Sequence, residues 1–224
     1  MKRSVSFFAS LLLLSCCFVS CGDSRQPISG PQPLVGGYRV ENAVAGTLPE
    51  RAKTAFDEAT ADLDGVGYTP LACLGEKEDA QFLILAKAQT VAPGAAARLA
   101  VLVLSDAPAV SSVVDFPLLS YLTGSVDTTI AALDGFRIPE EGGLTAMPQR
   151  LATAASDALG KFTDLRLEAL ACAGEQVVAG TNYALICRGT NAAGETGLFV
   201  AVVYADLKGG ARVTAVTPLD LSAF

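Results

Sequence analysis

The sequence predicts an α+β protein made of two tandem domains, each with one helix packed across a four- to five-stranded antiparallel sheet. Three observations support this prediction: an internal repeat at a spacing of about 100 residues, one stretch of helical apolar spacing in each repeat, and β-like runs after each stretch. The repeated blocks include Gly37-Tyr38-Arg39-Val40 with Gly135-Phe136-Arg137-Ile138, Leu71-Ala72-Cys73 with Leu170-Ala171-Cys172, and Phe116-Pro117-Leu118 with Thr217-Pro218-Leu219. Because the blocks keep their order, we interpret them as a tandem duplication.

Residues 1–20 are predicted to be a bacterial lipoprotein signal peptide. Lys2 and Arg3 precede an apolar run, and Cys21 follows a small residue, as the lipidated cysteine of a lipobox does. Lipidation is expected at Cys21, with Cys16 as a second fit; a plain secretory peptide or an uncleaved membrane helix are the alternatives. This predicts a lipid-anchored protein of the bacterial cell envelope, either periplasmic or surface-exposed.

A flexible tether is predicted over residues 21–33, which are rich in Gly, Pro and Ser and show no periodicity. The repeat then divides the rest of the chain into a first domain at 34–120 and a second domain at 131–224. The two domains are expected to meet between residues 120 and 131.

One helix is predicted at the start of each domain. Pro49 and Pro148 stand at the first helical positions, where the missing N–H of proline costs no hydrogen bond. The residues that follow at helical spacing are Ala52, Phe56, Ala59 and Leu63 in the first domain, and Leu151, Ala155, Leu159 and Phe162 in the second. This spacing predicts one apolar face on each helix.

Four strands are predicted after each helix, joined by Gly-containing hairpin turns. The expected strands are Tyr68–Leu74, Gln81–Thr90, Arg98–Leu104 and Ser112–Phe116, then Leu165–Cys172, Tyr183–Arg188, Leu198–Tyr204 and Arg212–Val216. A short leading strand before each helix would make a fifth.

The composition excludes several classes of function. With 51% hydrophobic residues the chain can bury a sizeable core, and its formal net charge of −7 argues against a nucleic-acid partner. The chain contains no His, which excludes Ser-His-Asp and Cys-His catalysis and any zinc site that needs an imidazole. We therefore expect no enzyme activity, no metal and no cofactor.

One motif in the second domain points to a family. Gln176-Val177-Val178-Ala179-Gly180 connects two predicted strands and runs on into Thr181-Asn182-Tyr183. This segment resembles the cystatins, which carry Gln-x-Val-x-Gly at the tip of their first hairpin, after a single helix and an N-terminal glycine. The resemblance covers residues 133–222 and extends more weakly to the first domain through the duplication.

The resemblance implies a fold and a function. It implies two tandem cystatin-like domains and inhibition of papain-type cysteine proteases, in which three backbone segments wedge into the active-site cleft without catalysis. The family's second hairpin usually carries Pro-Trp; this chain has no Trp, and Leu207 is the nearest apolar substitute. The protease-binding residues it implies are Gln176, Val177, Val178, Ala179, Gly180, Gly135 and Leu207, with Leu34, Val35, Gly36 and Gly37 as a possible additional N-terminal segment.

The first domain is not expected to inhibit. Where the motif would fall it carries Glu76-Lys77-Glu78-Asp79-Ala80, which is charged and two residues shorter. Two alternatives stay open for the second domain: its hairpin valines pack on a neighbour such as the first domain, or the cystatin-like fold is a non-inhibitory scaffold that binds another protein or an envelope ligand. The partners expected are a papain-type protease and, through the lipid anchor, a membrane.

A disulfide between Cys172 and Cys187 is expected, because the two residues flank the hairpin turn almost symmetrically and the extracytoplasmic location permits oxidation. Cys73 is expected to be an unpaired thiol buried on a sheet face. The alternative is three unpaired core thiols, since only some hairpin registers bring two sulfurs within bonding geometry.

Overall fold

A computed structural model describes residues 37–40, 48–77, 81–92, 94–105, 109–123, 136–139 and 149–224. The predicted signal peptide and tether, with Cys21, lie outside these ranges, as do Leu34, Val35, Gly36 and Gly135. Within the described ranges, no helix is both long and apolar enough to cross a membrane.

The first half of the chain forms one antiparallel sheet, with a helix before it and a short helix after it. Its elements are α1 (Glu50–Thr60), β1 (Val66–Glu76), β2 (Gln81–Thr90), β3 (Arg98–Ser105), β4 (Ala109–Asp115) and a short helix α2 (Leu118–Thr123). The strands lie in the order β1-β2-β3-β4, so each strand pairs with the one that follows it in the sequence.

The second half repeats this arrangement. Its elements are α3 (Gln149–Leu159), β5 (Arg166–Val178), β6 (Gly180–Thr190), β7 (Thr196–Ala205), β8 (Ala211–Pro218) and a 3-10 turn (Leu221–Ala223). The sheet order is again sequential, β5-β6-β7-β8, and all pairs are antiparallel. The predicted α+β class, with antiparallel sheets and few helices, is therefore confirmed.

The helices are shorter than predicted. In α1 the buried face consists of Ala52, Ala55 and Phe56, whereas Leu63 lies beyond the helix end and is 39% exposed. In the second half α3 ends at Leu159, so Phe162 follows the helix. Phe162 continues the apolar spacing because it packs against the same cluster as α3 although it follows the helix. Leu63 has the same spacing but is exposed.

The leading segments form no full strand within the described residues. Each makes one isolated antiparallel bridge to the first strand of its own sheet, Arg39 to Glu76 and Arg137 to Glu175. Two backbone hydrogen bonds of 2.7 to 3.0 Å close each bridge. The segment 38–40 is nevertheless part of the core, since Tyr38 is only 2% exposed.

The two sheets pack face to face, with α1 and α3 on the outer faces. One core cluster contains alternate residues of both sheets, among them Leu83 and Leu85 of β2 and Ile186 of β6. A second cluster lies between α3 and its sheet, and a third between α1 and its sheet. The layers are therefore helix, sheet, sheet, helix, and the central strands β2, β3, β6 and β7 are buried on both faces over most of their length.

This layering explains why central strands such as β2, β3 and β7 are apolar without alternation. In β2 the residues from Phe82 to Ala86 are all buried. Leu83 and Leu85 face the other sheet, whereas Phe82, Ile84 and Ala86 face α1. A sheet with one solvated face would instead alternate apolar and polar residues.

Candidate functional site

The Gln-x-Val-x-Gly segment forms the tip of the β5–β6 hairpin. The strands pair from Arg166 opposite Thr190 up to Val178 opposite Gly180, which leaves Ala179 at the apex. The sheet ladder thus continues to the end of the hairpin and holds the apex of the motif away from the core.

The motif divides into a buried base and an exposed tip. Gln176 is only 5% exposed, and its side-chain oxygen accepts a hydrogen bond of 2.9 Å from the Asn182 amide across the hairpin. Val177 and Val178 are 67% and 45% exposed. The alternative in which these valines pack on the first domain is therefore wrong, because both side chains face solvent.

The β7–β8 hairpin places Leu207 at a second tip. Asp206 organises this turn: its Oδ1 accepts hydrogen bonds from the backbone N–H groups of Lys208 and Gly210, at 2.7 and 2.9 Å. Gly209 adopts a positive φ of 89°. Leu207 itself is 85% exposed.

A second turn of the same kind shows that the fold does not need a leucine there. Between β6 and β7, Asn191 Oδ1 accepts from the backbone N–H groups of Ala193 and Glu195, both at 2.9 Å, and Gly194 has a φ of 82°. Ala192 occupies the position that Leu207 occupies in the other turn. A turn of this geometry requires the Asx residue and the glycine, but the position directly after the Asx residue can hold different side chains.

The two hairpin tips lie side by side at one end of the second sheet. The Tyr204 hydroxyl donates a hydrogen bond of 2.6 Å to the carbonyl oxygen of Ala179, the apex residue. Thr181, just after the first tip, pairs with Ala205, just before the second. We call the exposed residues Val177, Val178 and Leu207 of these two adjacent hairpins the apolar tip.

Gly180 is required for this close approach. Its φ is 138°, and an added Cβ would lie 2.5 Å from the Ala205 carbonyl oxygen and 2.8 Å from the Tyr204 hydroxyl. A side chain at this position would therefore push the two hairpins apart.

We expect Gly180→Ala to destabilise the protein by about 2 kcal/mol or more, since a strained φ and a backbone clash add together. Gly194→Ala is the matched control, because Gly194 also has a positive φ but has open space where the Cβ would stand. Urea unfolding of both variants measures the difference. Equal losses in the two variants would show that the hairpins separate at no cost.

The leading segment of the second half lies beside the same hairpin. Arg137 forms an ion pair with Glu175, with Nη2 3.2 Å from Oε1, and Glu175 is only 8% exposed. Because the bridge is antiparallel, Phe136 lies on the tip side of Glu175. Gly135 precedes Phe136 and lies outside the described residues.

Gly37 belongs to the other sheet. It has a φ of 78° and precedes the bridge between Arg39 and Glu76, so it borders β1 rather than the β5–β6 hairpin. The Lys77 ammonium lies 4.3 Å from the ring centre of Tyr38 at the same end of the first sheet. Of the possible additional N-terminal segment, Gly37 is the residue that the structure describes, and it lies next to the first hairpin rather than next to the apolar tip.

The predicted disulfide is wrong, because Cys73, Cys172 and Cys187 are all buried free thiols. Two bulges shift the register of β5, so Cys172 lies opposite Leu185 while Cys187 lies opposite Ala169. The two cysteines are diagonal neighbours, and diagonal positions are about 7–8 Å apart, beyond the usual Cα separation of a disulfide. The prediction for Cys73 is confirmed.

Burial keeps these thiols protonated. It raises the pKa of Cys73 to about 11 and the pKa of Cys172 to about 12, and it raises the pKa of Cys187 as well. In the unfolded chain the pKa of each of these thiols is about 8.5. Above that pH the folded state holds more protons than the unfolded state.

We therefore expect the free energy of unfolding to be unaffected by the thiols below about pH 8 and to fall as the pH rises towards about 11, by up to about 1.4 kcal/mol per pH unit for each thiol. Denaturant titrations across this range measure the slope, and Cys172→Ala should reduce it.

Iodoacetamide should label Cys73, Cys172 and Cys187 only after denaturation, because all three thiols are buried. Labelling of the native protein at neutral pH would contradict the burial.

The described residues include no group of three or more His, Cys, Asp or Glu side chains arranged to hold a metal ion. The chain matches no protein-family model, no curated protein and no solved structure. This end of the second sheet presents exposed apolar side chains on two hairpins that a hydrogen bond joins.

Proposed function

We propose that this protein is a lipid-anchored inhibitor of papain-type cysteine proteases in the bacterial cell envelope, and that the apolar tip enters the protease cleft. The observation that carries the proposal is the exposure of Val177, Val178 and Leu207 on two adjacent hairpins. The other large apolar side chains exposed in the described part of the chain, Leu63, Val91, Val113 and Leu119, all lie in its first half.

The apolar tip contributes nothing visible to folding. Its three side chains face solvent, and the comparison of the Leu207 turn with the Asn191 turn indicates that the turn itself does not need a leucine. In an apolar cleft each side chain could contribute about 1.5–3 kcal/mol before the costs of association. A binding role accounts for residues whose exposure is otherwise unfavourable.

The hairpins are braced before they bind. The Tyr204 hydroxyl holds the apex carbonyl of Ala179, and Asp206 closes its own turn with two hydrogen bonds. A pre-formed surface loses little conformational entropy on binding, and so retains more of the gain from burial. This is the behaviour that a wedge-type inhibitor requires.

We also propose that each half of the chain is a cystatin-like domain. Each half has a leading segment, one helix and a four-stranded sequential sheet, in the order that the cystatin resemblance implies. In the first half the hairpin between Glu76 and Gln81 is shorter and charged. We therefore assign inhibition to the second half only.

The direct test is titration of papain with the full mature protein in mild detergent. Inhibition that depends on protein concentration, with no cleavage of the inhibitor, would support the proposal. A fully active protease at a large micromolar excess of the protein would reject it. In that case the apolar tip would be a docking surface for another protein, which is the scaffold alternative.

We propose that Cys21 carries the lipid anchor, and we expect Cys21→Ser to move the protein from the membrane fraction to the soluble fraction. Each acyl chain contributes about 0.8 kcal/mol per buried methylene, so loss of the chains abolishes stable anchoring. Fractionation and lipid labelling measure the change, with Cys16→Ser as the matched control. Lipid labelling of the Cys21→Ser variant would assign the anchor to Cys16 instead.

A further inference from the structure

We infer that the partner of the apolar tip is an apolar cleft with an acidic rim, because two exposed cations, Lys208 and Arg212, flank the tip. This inference rests on the proposed function and specifies which papain-type proteases it would act on. Lys208 directly follows Leu207 in the second turn, and its side chain is exposed. We call Lys208 and Arg212 the cationic flank.

Arg212 is held beside the first tip as well as the second. It pairs with Tyr204 across the β7–β8 ladder, and its guanidinium carbon lies 4.8 Å from the centre of the Tyr204 ring. The same ring carries the hydroxyl that binds the Ala179 carbonyl. The contact with this tyrosine favours a position of the Arg212 guanidinium beside the tip, by about 0.5–1 kcal/mol for an exposed cation–π pair.

The carboxylates at this end of the sheet have partners of their own. Asp206 accepts two backbone hydrogen bonds within its turn, and Glu175 is buried against Arg137. Hydrogen bonding leaves the charge of Asp206 in place, so among the described residues beside the apolar tip two exposed cations, Lys208 and Arg212, stand against one exposed carboxylate. The local balance is therefore positive, although the whole chain has a formal net charge of −7. At the opposite end of this sheet and its helix, described carboxylates outnumber cations: Asp157, Asp164, Glu168, Glu195 and Asp220 against Lys161, Arg166 and Arg188.

The positive charges of Lys208 and Arg212 favour a partner with negative charge around its cleft. Cations at the edge of an apolar contact favour a partner with carboxylates around its cleft, and they raise the association rate by steering. A cleft with a basic rim would meet like charge and bind more slowly. An anionic bilayer is a poorer match, because juxtamembrane lipid-binding clusters carry about 4–8 cations and this flank has Lys208 and Arg212.

The test compares two papain-type proteases, one with an acidic rim and one with a basic rim. Stopped-flow association with the full protein should be at least about tenfold faster for the acidic-rimmed enzyme at about 0.05 M salt, and the ratio should shrink at about 0.5 M salt. Lys208→Glu should lower or reverse the preference, because it places a carboxylate beside the tip. Lys161→Glu, a charge reversal at the opposite end, is the control and should leave the preference unchanged.

The outcomes separate this inference from the function on which it rests. Inhibition of both proteases at equal rates, with no effect of Lys208→Glu, would overturn the acidic-rim inference and leave protease inhibition standing. Inhibition of neither protease would overturn both. Lys208-dependent binding to phosphatidylglycerol vesicles, without inhibition, would reject the inference and reassign the cationic flank to a membrane surface.

Discussion

Val178→Asp should weaken inhibition of a papain-type protease by at least about a hundredfold. The variant would bury an unpaired carboxylate in an apolar cleft, and such a burial costs several kcal/mol, where each 1.4 kcal/mol is about a tenfold loss of affinity. Val178 is 45% exposed in the free protein, so the same change should have little effect on folding. Inhibition constants and urea midpoints measured on the same preparations separate the two effects.

Val91→Asp is the matched control for this experiment. Val91 is also an exposed valine, at 77%, but it follows β2 in the first half of the chain. It should inhibit as well as the parent protein. If Val178→Asp inhibited equally well, the β5–β6 hairpin would not enter the cleft, and inhibition would have to come from another surface of the protein.

Ile186→Ala should destabilise the whole protein by about 2–5 kcal/mol, the usual cost of truncating a large buried aliphatic side chain. Ile186 is fully buried in the cluster that both sheets share. We therefore expect one unfolding transition rather than two, and faster hydrogen exchange in β2 of the first sheet, although the substitution is in β6 of the second.

Leu85→Ala is the reciprocal experiment, because Leu85 contributes to the same cluster from the first sheet. It should accelerate exchange in β6. Leu207→Ala, at an 85% exposed site, should change stability by less than about 0.5 kcal/mol. If Ile186→Ala left exchange in β2 unchanged, the two halves would fold independently despite their shared core.

The shared core also determines how inhibition must be assayed. A fragment that contained only the second half would expose the face that carries Ile186 and Val200 to water. Such a fragment would be prone to aggregate, so its inactivity would say nothing about the hairpin. Point substitutions in the full chain are therefore the appropriate probes.

Local patterns in the sequence placed the two longer helices and the eight described strands, although not the ends of most of them, and they did not predict α2. The bounds of β2, Gln81–Thr90, are those that its apolar run predicts, and the sequential strands follow from runs separated by short turns. The Gln-x-Val-x-Gly motif placed a hairpin tip where the structure has one, because glycine at position 180 and the flanking runs are local signals. The repeated order of strands in the two halves likewise agrees with the order of the short sequence blocks.

The tertiary structure decided the rest, because it depends on residues far apart in the chain. An apolar run such as Phe82–Ala86 shows that a strand is buried on both faces but does not identify what covers the second face. The diagonal placement of Cys172 and Cys187 depends on two bulges in β5, and nothing in the residue types marks a register shift. Tyr204 and Arg212 could not be recognised from the sequence either, since their roles arise only when the β7–β8 hairpin lies against Ala179. The sequence by itself therefore determined the two repeated units and the residues of the tip, whereas long-range packing decided that the two sheets share one core and that the two hairpins meet.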